Sequence, residues 1–423
     1  GSITVGDAGA KLASNEATGA ITVTDNASVA YDGQPGAGHN NQLGGGIFVN
    51  GGTDVTVTDN DGAYVTVGVP ANATAAAALP TGAVTVTSTG LGSFAGYYAS
   101  SVVVDGGTDV NVTTAGGFVT IGGAPDGALN ISPTGTITVT EVLPSLYHSY
   151  YNEISIDGGT DVTVTALGQG TYIGQNVGPT GTVTVSQSAV LTGQGAGDGD
   201  GFVRVDGGTD VTVTTTGGGV QVGTASNGQG LPGVPTGTVT ITDTFSGANG
   251  ANDDGFSVVG GTDVTITTTP TSGDIQVGAA PLTNADGSGL SAATLLNEPT
   301  GNVVINNSET FGGVTTYGTG ATNVWVNGAT SVSITGGAVG TVEDVETVIA
   351  SGGPGAGSPV GTSTLTTVTL DGVAAGAMTV TSNALSSLTV LDTLAGAAVT
   401  VSDITPTHAL AVGGNPSSIH AKG

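Results

Sequence analysis

The chain has 423 residues, of which 77 are glycine and none cysteine, and it carries Lys11, Arg204 and Lys422 against 32 acids, a formal charge of −29. A surface this acidic repels polyanions and attracts cations, which excludes nucleic acid and anionic lipid as partners. Without cysteine there is no disulfide staple, zinc thiolate or thiol nucleophile, and no apolar run approaches the roughly 20 residues of a membrane span.

The chain opens on Gly1-Ser2-Ile3-Thr4-Val5, which lacks the charged and apolar regions of a secretory leader. It begins and ends inside strand-like pattern, so a processed form or a fragment of a longer chain is expected. The first recurring phrase is Ala17-Thr18-Gly19-Ala20-Ile21-Thr22-Val23-Thr24, which returns from Pro80, Pro133, Pro179, Pro235 and Pro299. A second, Gly-Gly-Thr-Asp-Val-Thr-Val-Thr, stands at Gly51–Thr58 and returns with little change at Gly106–Thr113, Gly158–Thr165, Gly207–Thr214 and Gly260–Thr267. It fades to Gly328-Ala329-Thr330-Ser331. Two glycines and an Asx residue suit a tight reversal, and Val/Thr alternation is the period of a half-buried strand. Short apolar phrases precede each double glycine, as in Ile47-Phe48-Val49, and follow each Gly-Gly-Thr-Asp strand, as in Tyr64-Val65-Thr66-Val67-Gly68. Each repeat therefore carries four short strands.

The double glycines lie 55, 52, 49, 53 and 68 residues apart, a period of solenoids, propellers or arrays. The two Val-Thr-Val-Thr phrases resemble one another, which makes the unit a pair of half-repeats of about 25 residues, each one coil. Electrostatics points the same way. One coil per repeat would stack Asp54, Asp109, Asp161, Asp210 and Asp263 at about 4.8 Å, whereas two coils double that spacing and set neutral residues between them. Beyond Thr335 the wording changes, with Gly352–Pro359 as a dividing loop, and Leu365–Asp371 with Ala377–Val380 is echoed 20 residues on by Leu385–Leu391 with Ala398–Val401. The sequence thus predicts an all-β protein, a parallel β-solenoid of roughly a dozen coils. Residues 1–340 form double-coil repeats of about 50 residues and residues 341–423 a region of about 20-residue period. A propeller fits the period, but aromatics are only 4% of the chain.

The repeated phrases, the Thr/Val/Gly/Ala-rich language and the missing cysteine resemble the repetitive bodies of proteobacterial surface-layer proteins of the Caulobacter type and of large adhesins exported by type I secretion. The resemblance covers most of the chain and implies an extracellular, bacterial cell-surface protein, often calcium-dependent. The tandem Gly-Gly-x-Gly-x-Asp calcium nonapeptides of that family are not found here.

Two roles compete for the aspartates of the Gly-Gly-Thr-Asp phrase, Asp54, Asp109, Asp161, Asp210 and Asp263. They can accept backbone N–H bonds and fix the turn, or bind calcium, which takes six to eight oxygen ligands. One acid per turn is few for a cation, but Asp105, Asp157 and Asp206 add a second acid in three repeats. Asp59 with Asp61, Asp198 with Asp200, and Asp253 with Asp254 are further local clusters. Calcium is the one cofactor suggested. Phe94, Tyr97, Tyr98, Tyr147, His148, Tyr150 and Tyr151 gather on two insertion segments, as candidates to stack on sugar rings or to cover the end of a loop. No catalytic constellation emerges, and an enzyme is not expected. The expected function is a secreted structural protein that assembles with itself, end to end or side by side, into a surface layer, fibre or matrix. A polysaccharide-binding adhesin stalk or an ice-binding solenoid is the alternative.

Overall fold

The computed structural model describes residues 2–6, 17–26, 46–60, 62, 64–68, 79–89, 101–123, 131–142, 153–168, 170–188, 201–224, 233–244, 255–268, 275–278, 298–311, 314–317, 323–336, 338–343, 365–371, 376–381, 385–391, 397–402, 411–414 and 419–422. The chain divides into two compact units, Gly1–Gly208 and Thr209–Gly423.

The first unit contains β1 (Ile3–Val5), β2 (Ile21–Asp25), β3 (Ile47–Val49), β4 (Val55–Asp59), β5 (Val65–Val67), β6 (Val84–Ser88), β7 (Val102–Val104) and β8 (Val110–Thr114). It continues with β9 (Val119–Ile121), β10 (Ile137–Glu141), β11 (Glu153–Ile156), β12 (Val162–Leu167), β13 (Gly170–Ile173), β14 (Val183–Ser188) and β15 (Val203–Val205). Odd-numbered strands stack in sequence order into one sheet and even-numbered strands into another. Every pairing described in the unit is parallel and in register, for example Val110 between Val84 and Ile137. Alternation between two parallel sheets is the architecture of a β-solenoid, because parallel neighbours require a crossover and here the other sheet supplies it. Each Gly-Gly-Thr-Asp phrase leads into one even-numbered strand and each Thr-Gly-x phrase into the next, so the aspartates fall on alternate coils: Asp109 stands beside Ala83 and Thr136.

The second unit contains β16 (Val211–Thr215), β17 (Val220–Val222), β18 (Val239–Asp243), β19 (Phe256–Val258), β20 (Val264–Thr267), β21 (Ile275–Val277), β22 (Asn302–Asn306), β23 (Ser308–Phe311) and β24 (Val314–Tyr317). There follow β25 (Asn323–Asn327), β26 (Ser331–Thr335), β27 (Ala338–Glu343), β28 (Thr367–Asp371), β29 (Gly376–Thr381), β30 (Ser387–Leu391), β31 (Ala397–Ser402), β32 (Ala411–Gly414) and β33 (Ile419–Lys422). Two parallel sheets form again, one in the order β17-β19-β21-β25-β27-β29-β31-β33 and one in the order β16-β18-β20-β22-β26-β28-β30-β32. The sequence pattern did not announce the antiparallel hairpin of β23 and β24, which lies outside both ladders and has none of the Val-Thr alternation. In the even-numbered ladder register persists where the wording changes, Val332 pairing with Val368 and Val368 with Leu388, whereas β25 and β27 shift register between Asn323 and Trp325.

The core is a set of aliphatic columns. In the first unit Val55, Val84, Val110, Ile137, Val162 and Val183 occupy one column and are at most 2% exposed. Their neighbours two residues on form a second column as deeply buried. Each inward side chain stands in register with its equivalents one coil above and below, so a methyl removed from one coil is expected to loosen packing in its neighbours as well. Ile137→Ala is expected to lower unfolding free energy by about 3 kcal/mol through lost transfer and cavity energy. Thr138→Ala, on the outward face, is expected to cost less than about 0.5 kcal/mol. Urea unfolding of both variants checks the difference.

Candidate functional site: the aspartate corners

The corner between β7 and β8 shows how the repeated phrase works. Gly106 and Gly107 have φ of 79° and 86°, the left-handed region that glycine alone enters without cost. A Cβ on Gly107 would also stand 3.0 Å from Val84 Cγ2 and 3.1 Å from the Gly82 carbonyl. That reversal aims backbone donors at the preceding coil. The Gly107 N–H reaches the Pro80 carbonyl at 2.9 Å and the Thr108 N–H the Gly82 carbonyl at 2.8 Å. On the other side the Gly135 N–H donates to the Thr108 carbonyl at 2.9 Å. The hydrogen-bond ladder therefore continues around the turn.

Asp109 completes the corner. Its Oδ1 accepts the Thr136 N–H and the Thr136 hydroxyl, both at 2.8 Å. Asp161 holds Thr182 in the same way, with both contacts at 2.7 Å, and so does Asp210 with Thr238. Asp54 accepts the Ala83 N–H at 2.9 Å. Asp263 accepts the Asn302 N–H at 2.7 Å and its side-chain amide at 3.0 Å. The backbone and hydroxyl donors hold the carboxyls of Asp109, Asp161 and Asp210 below their usual value, because both bonds favour the ionised form.

The sequence reading missed the partner of this brace. A Cβ on Gly82, Gly135, Gly181, Gly237 or Gly301 would collide with Oδ1 of the aspartate one coil earlier. A Cβ on Gly19, in the first copy of the phrase, would meet nothing within 4 Å. The glycine of Thr-Gly-x is therefore a seat for the aspartate as much as a turn residue.

A second polar column precedes the double glycine. Asn50, Asp105, Asp157, Asp206 and Asn327 are 2–6% exposed. Gly68, Gly122 and Gly174 alternate with the first-unit members, and a Cβ on any of the three would collide with the backbone carbonyl of Asp105, Asp157 or Asp206 respectively. Asp157 accepts the Asn176 N–H at 2.7 Å, the Asn176 side-chain amide at 2.8 Å and the Val177 N–H at 3.1 Å. Asp206 pairs with Arg204 Nε at 2.8 Å. Burial pushes Asp105 up from 3.8 to about 7.

A third column lies inside the solenoid at the fifth residue of the even-numbered strands, where inward phase meets polar residues: Asp59, Ser88, Thr114, Glu141 and Gln187 are at most 2% exposed. The Ser88 hydroxyl donates to Asp59 Oδ2 at 2.6 Å, the Leu167 N–H to Glu141 Oε2 at 2.6 Å, and the Thr171 hydroxyl to Gln187 Oε1 at 3.1 Å. Counting the strand period two residues past Val-Thr-Val would have found this column; only Asp59 was singled out, as an acid beside Asp61.

The candidate acids thus fall into separate columns: braces at the start of the second-sheet strands, buried corner residues at the end of the first-sheet strands, and Asp59 in the interior. Asp61, Asp198, Asp200, Asp253 and Asp254 lie outside the described residues, as do Phe94, Tyr97, Tyr98, Tyr147, His148, Tyr150 and Tyr151. Among the described residues, no three His, Asp or Glu side chains converge to hold a metal ion, and no helix is long and apolar enough to cross a membrane. No family model, curated protein or solved structure matches the chain.

Two outcomes follow from the corners. Gly135→Ala is expected to destabilise by about 1–3 kcal/mol through overpacking. Adding Asp109→Ala should recover part of that loss, so chemical unfolding of both single variants and the double variant should give a non-additive cycle. Asp105 binds its proton more tightly folded than unfolded, so its contribution to stability is full below its ordinary value of 3.8 and is lost as pH rises through about 7. Asp109, Asp161 and Asp210 run the other way: their contribution is present above the unfolded value and is lost as pH falls through the lowered folded values. Asp105→Asn, the residue type already present at Asn50 and Asn327, should raise the melting midpoint relative to the parent at about pH 8 and leave it unchanged near pH 3.

Proposed function

We propose that this protein is an extracellular structural protein of a bacterial surface, a scaffold without catalytic function that assembles with itself into a surface layer, fibre or matrix. The observation that carries this reading is where the repeated chemistry goes. The aspartates that recur in every Gly-Gly-Thr-Asp phrase are spent on bracing the next coil, and the residues that recur beside them build sheet. Repetition of this kind makes a regular surface, not a single converging cleft, and regular surfaces suit lattice contacts. The resemblance to surface-layer and large adhesin bodies supports the same assignment, as does a chain free of cysteine and nearly free of lysine. Calcium enters this reading as a counter-ion that lets copies of so acidic a chain approach one another.

The second reading is a binding solenoid, an adhesin stalk or an ice-binding protein. The rows of threonine on the outer face of the even-numbered strands favour it, since they offer hydroxyls and methyls at a fixed repeat. Binding to neutral glycans or thermal hysteresis by monomeric protein would favour this second reading over the first. For the first, electron microscopy of purified protein over a range of concentrations, with and without millimolar calcium, is expected to show ordered sheets or filaments. Strictly monodisperse particles under all those conditions would overturn it.

A further inference from the structure

The outward face of the even-numbered strands in the Gly1–Gly208 unit carries two columns without charge in so acidic a chain. The outward pair on each strand is Thr-x-Thr in β2, β4, β6, β10 and β12, Asn-x-Thr in β8 and Thr-x-Ser in β14. Register aligns these pairs from strand to strand, so they form two parallel columns over seven strands. None of these side chains is charged and none is buried. The other sheet offers no such regularity, with Phe48, Val103, Tyr172 and Arg204 among its outward residues.

The two margins of this face differ in charge. Along one run the exposed braces Asp54, Asp109 and Asp161, alternating with Ala83, Thr136 and Thr182. Along the other stand neutral residues such as Asn60, Thr89 and Ser188, with Val142 43% exposed.

We propose that this threonine face is the surface through which one copy of the chain pairs with a second copy; the proposal rests on the self-assembly reading above and names its lateral contact. Charge selects both the face and the geometry. With a formal charge of −29, two copies repel wherever acids meet, and the threonine columns are a broad strip free of them. A two-fold axis running along the columns, midway between them, lays the first column of one copy on the second column of the other. The same operation sets each aspartate margin against the partner's neutral margin. A two-fold axis across the columns would instead oppose aspartate to aspartate. Identical, in-register side chains at a fixed repeat interdigitate without a register penalty, as in dry sheet-to-sheet contacts. The two columns cover about 34 Å by 14 Å, or roughly 480 Å² per partner. That is below the roughly 800 Å² per partner of a stable complex, so a single pair is weak and the contact becomes firm when many are made at once.

The test is the double variant Thr138→Glu/Thr163→Glu, with Ser155→Glu on the other sheet as control. All three sites face outward, and unchanged circular dichroism and melting midpoints will confirm that the variants fold. Sedimentation at increasing concentration is expected to show at least tenfold weaker self-association for the double variant and parent-like association for the control. Because the chain has no cysteine, Thr138→Cys with a short bis-maleimide should give covalent dimers, and Ser155→Cys should give few. Assembly that persists undiminished in the double variant, or equal cross-linking at both positions, overturns this contact while leaving self-assembly standing. A parent that never associates overturns both. Monomeric parent that binds a neutral glucan or ice through this face, with binding lost in the double variant, also overturns the pairing of copies.

Discussion

A parallel sheet made by one chain depends on the chain turning the same way in every coil, because each strand finds its register only through the turn that precedes it. In this protein the turn is held by its neighbours. Backbone donors in the double-glycine corner reach the coil before, and the aspartate oxygen that follows reaches the coil after. No coil can shift by one residue without breaking bonds on both sides and moving its valines from the core face to solvent. The core columns, the outward threonines and the alternation of charged and neutral corners all inherit their regularity from that constraint.

The same constraint distributes charge. An acid at every corner would stack like charges one strand apart. Braces on alternate coils instead meet neutral residues, alanine or threonine beside Asp109 and Asn302 after Asp263, and glycine separates the buried acids Asp105, Asp157 and Asp206. Glycine does this because its missing Cβ leaves room for a carboxylate or a carbonyl that no other residue would admit. Carboxylates stabilised by donors and one destabilised by burial coexist within five residues, at Asp109 and Asp105. Their opposed responses to pH arise from which side of the double glycine each occupies.

Much of this fold can be read from the letters. Val-Thr alternation marks the strands, the double glycines mark the corners, and the likeness of the two phrases gives the parallel double coil. The partnership between Asp109 and Gly135 is harder to see, since the two stand in different phrases and a glycine after threonine already reads as a turn. The interior column of Asp59, Ser88, Glu141 and Gln187 was hidden because polar letters at a strand end suggest an exit to solvent, whereas here the inward phase continues until partners on the next coil or the facing sheet satisfy them. The aromatic insertion segments carry no period in the sequence, so the periodicity that marks the strands says nothing about them. Gly328-Ala329-Thr330 shows how far the motif can decay: Ala329 holds a φ of 79° in a fully buried corner, a strain tolerated because the Ala329 N–H still reaches the Pro299 carbonyl at 2.7 Å.

A corner that recognises its neighbour's backbone, one missing side chain and, in three repeats, a threonine hydroxyl common to all three cannot tell those repeats from one another. Residues 106–157 begin at one double glycine and end just before the next, a span of 52 residues. Excising that span would join β7 to β12 through a corner of the same phrase, resting on the same kind of seat. Length in such a molecule is an inheritable variable that changes in whole double coils. A gene encoding it can grow or shrink by unequal recombination without inventing a new contact, and the number of strands in each ladder can be set by copy number alone.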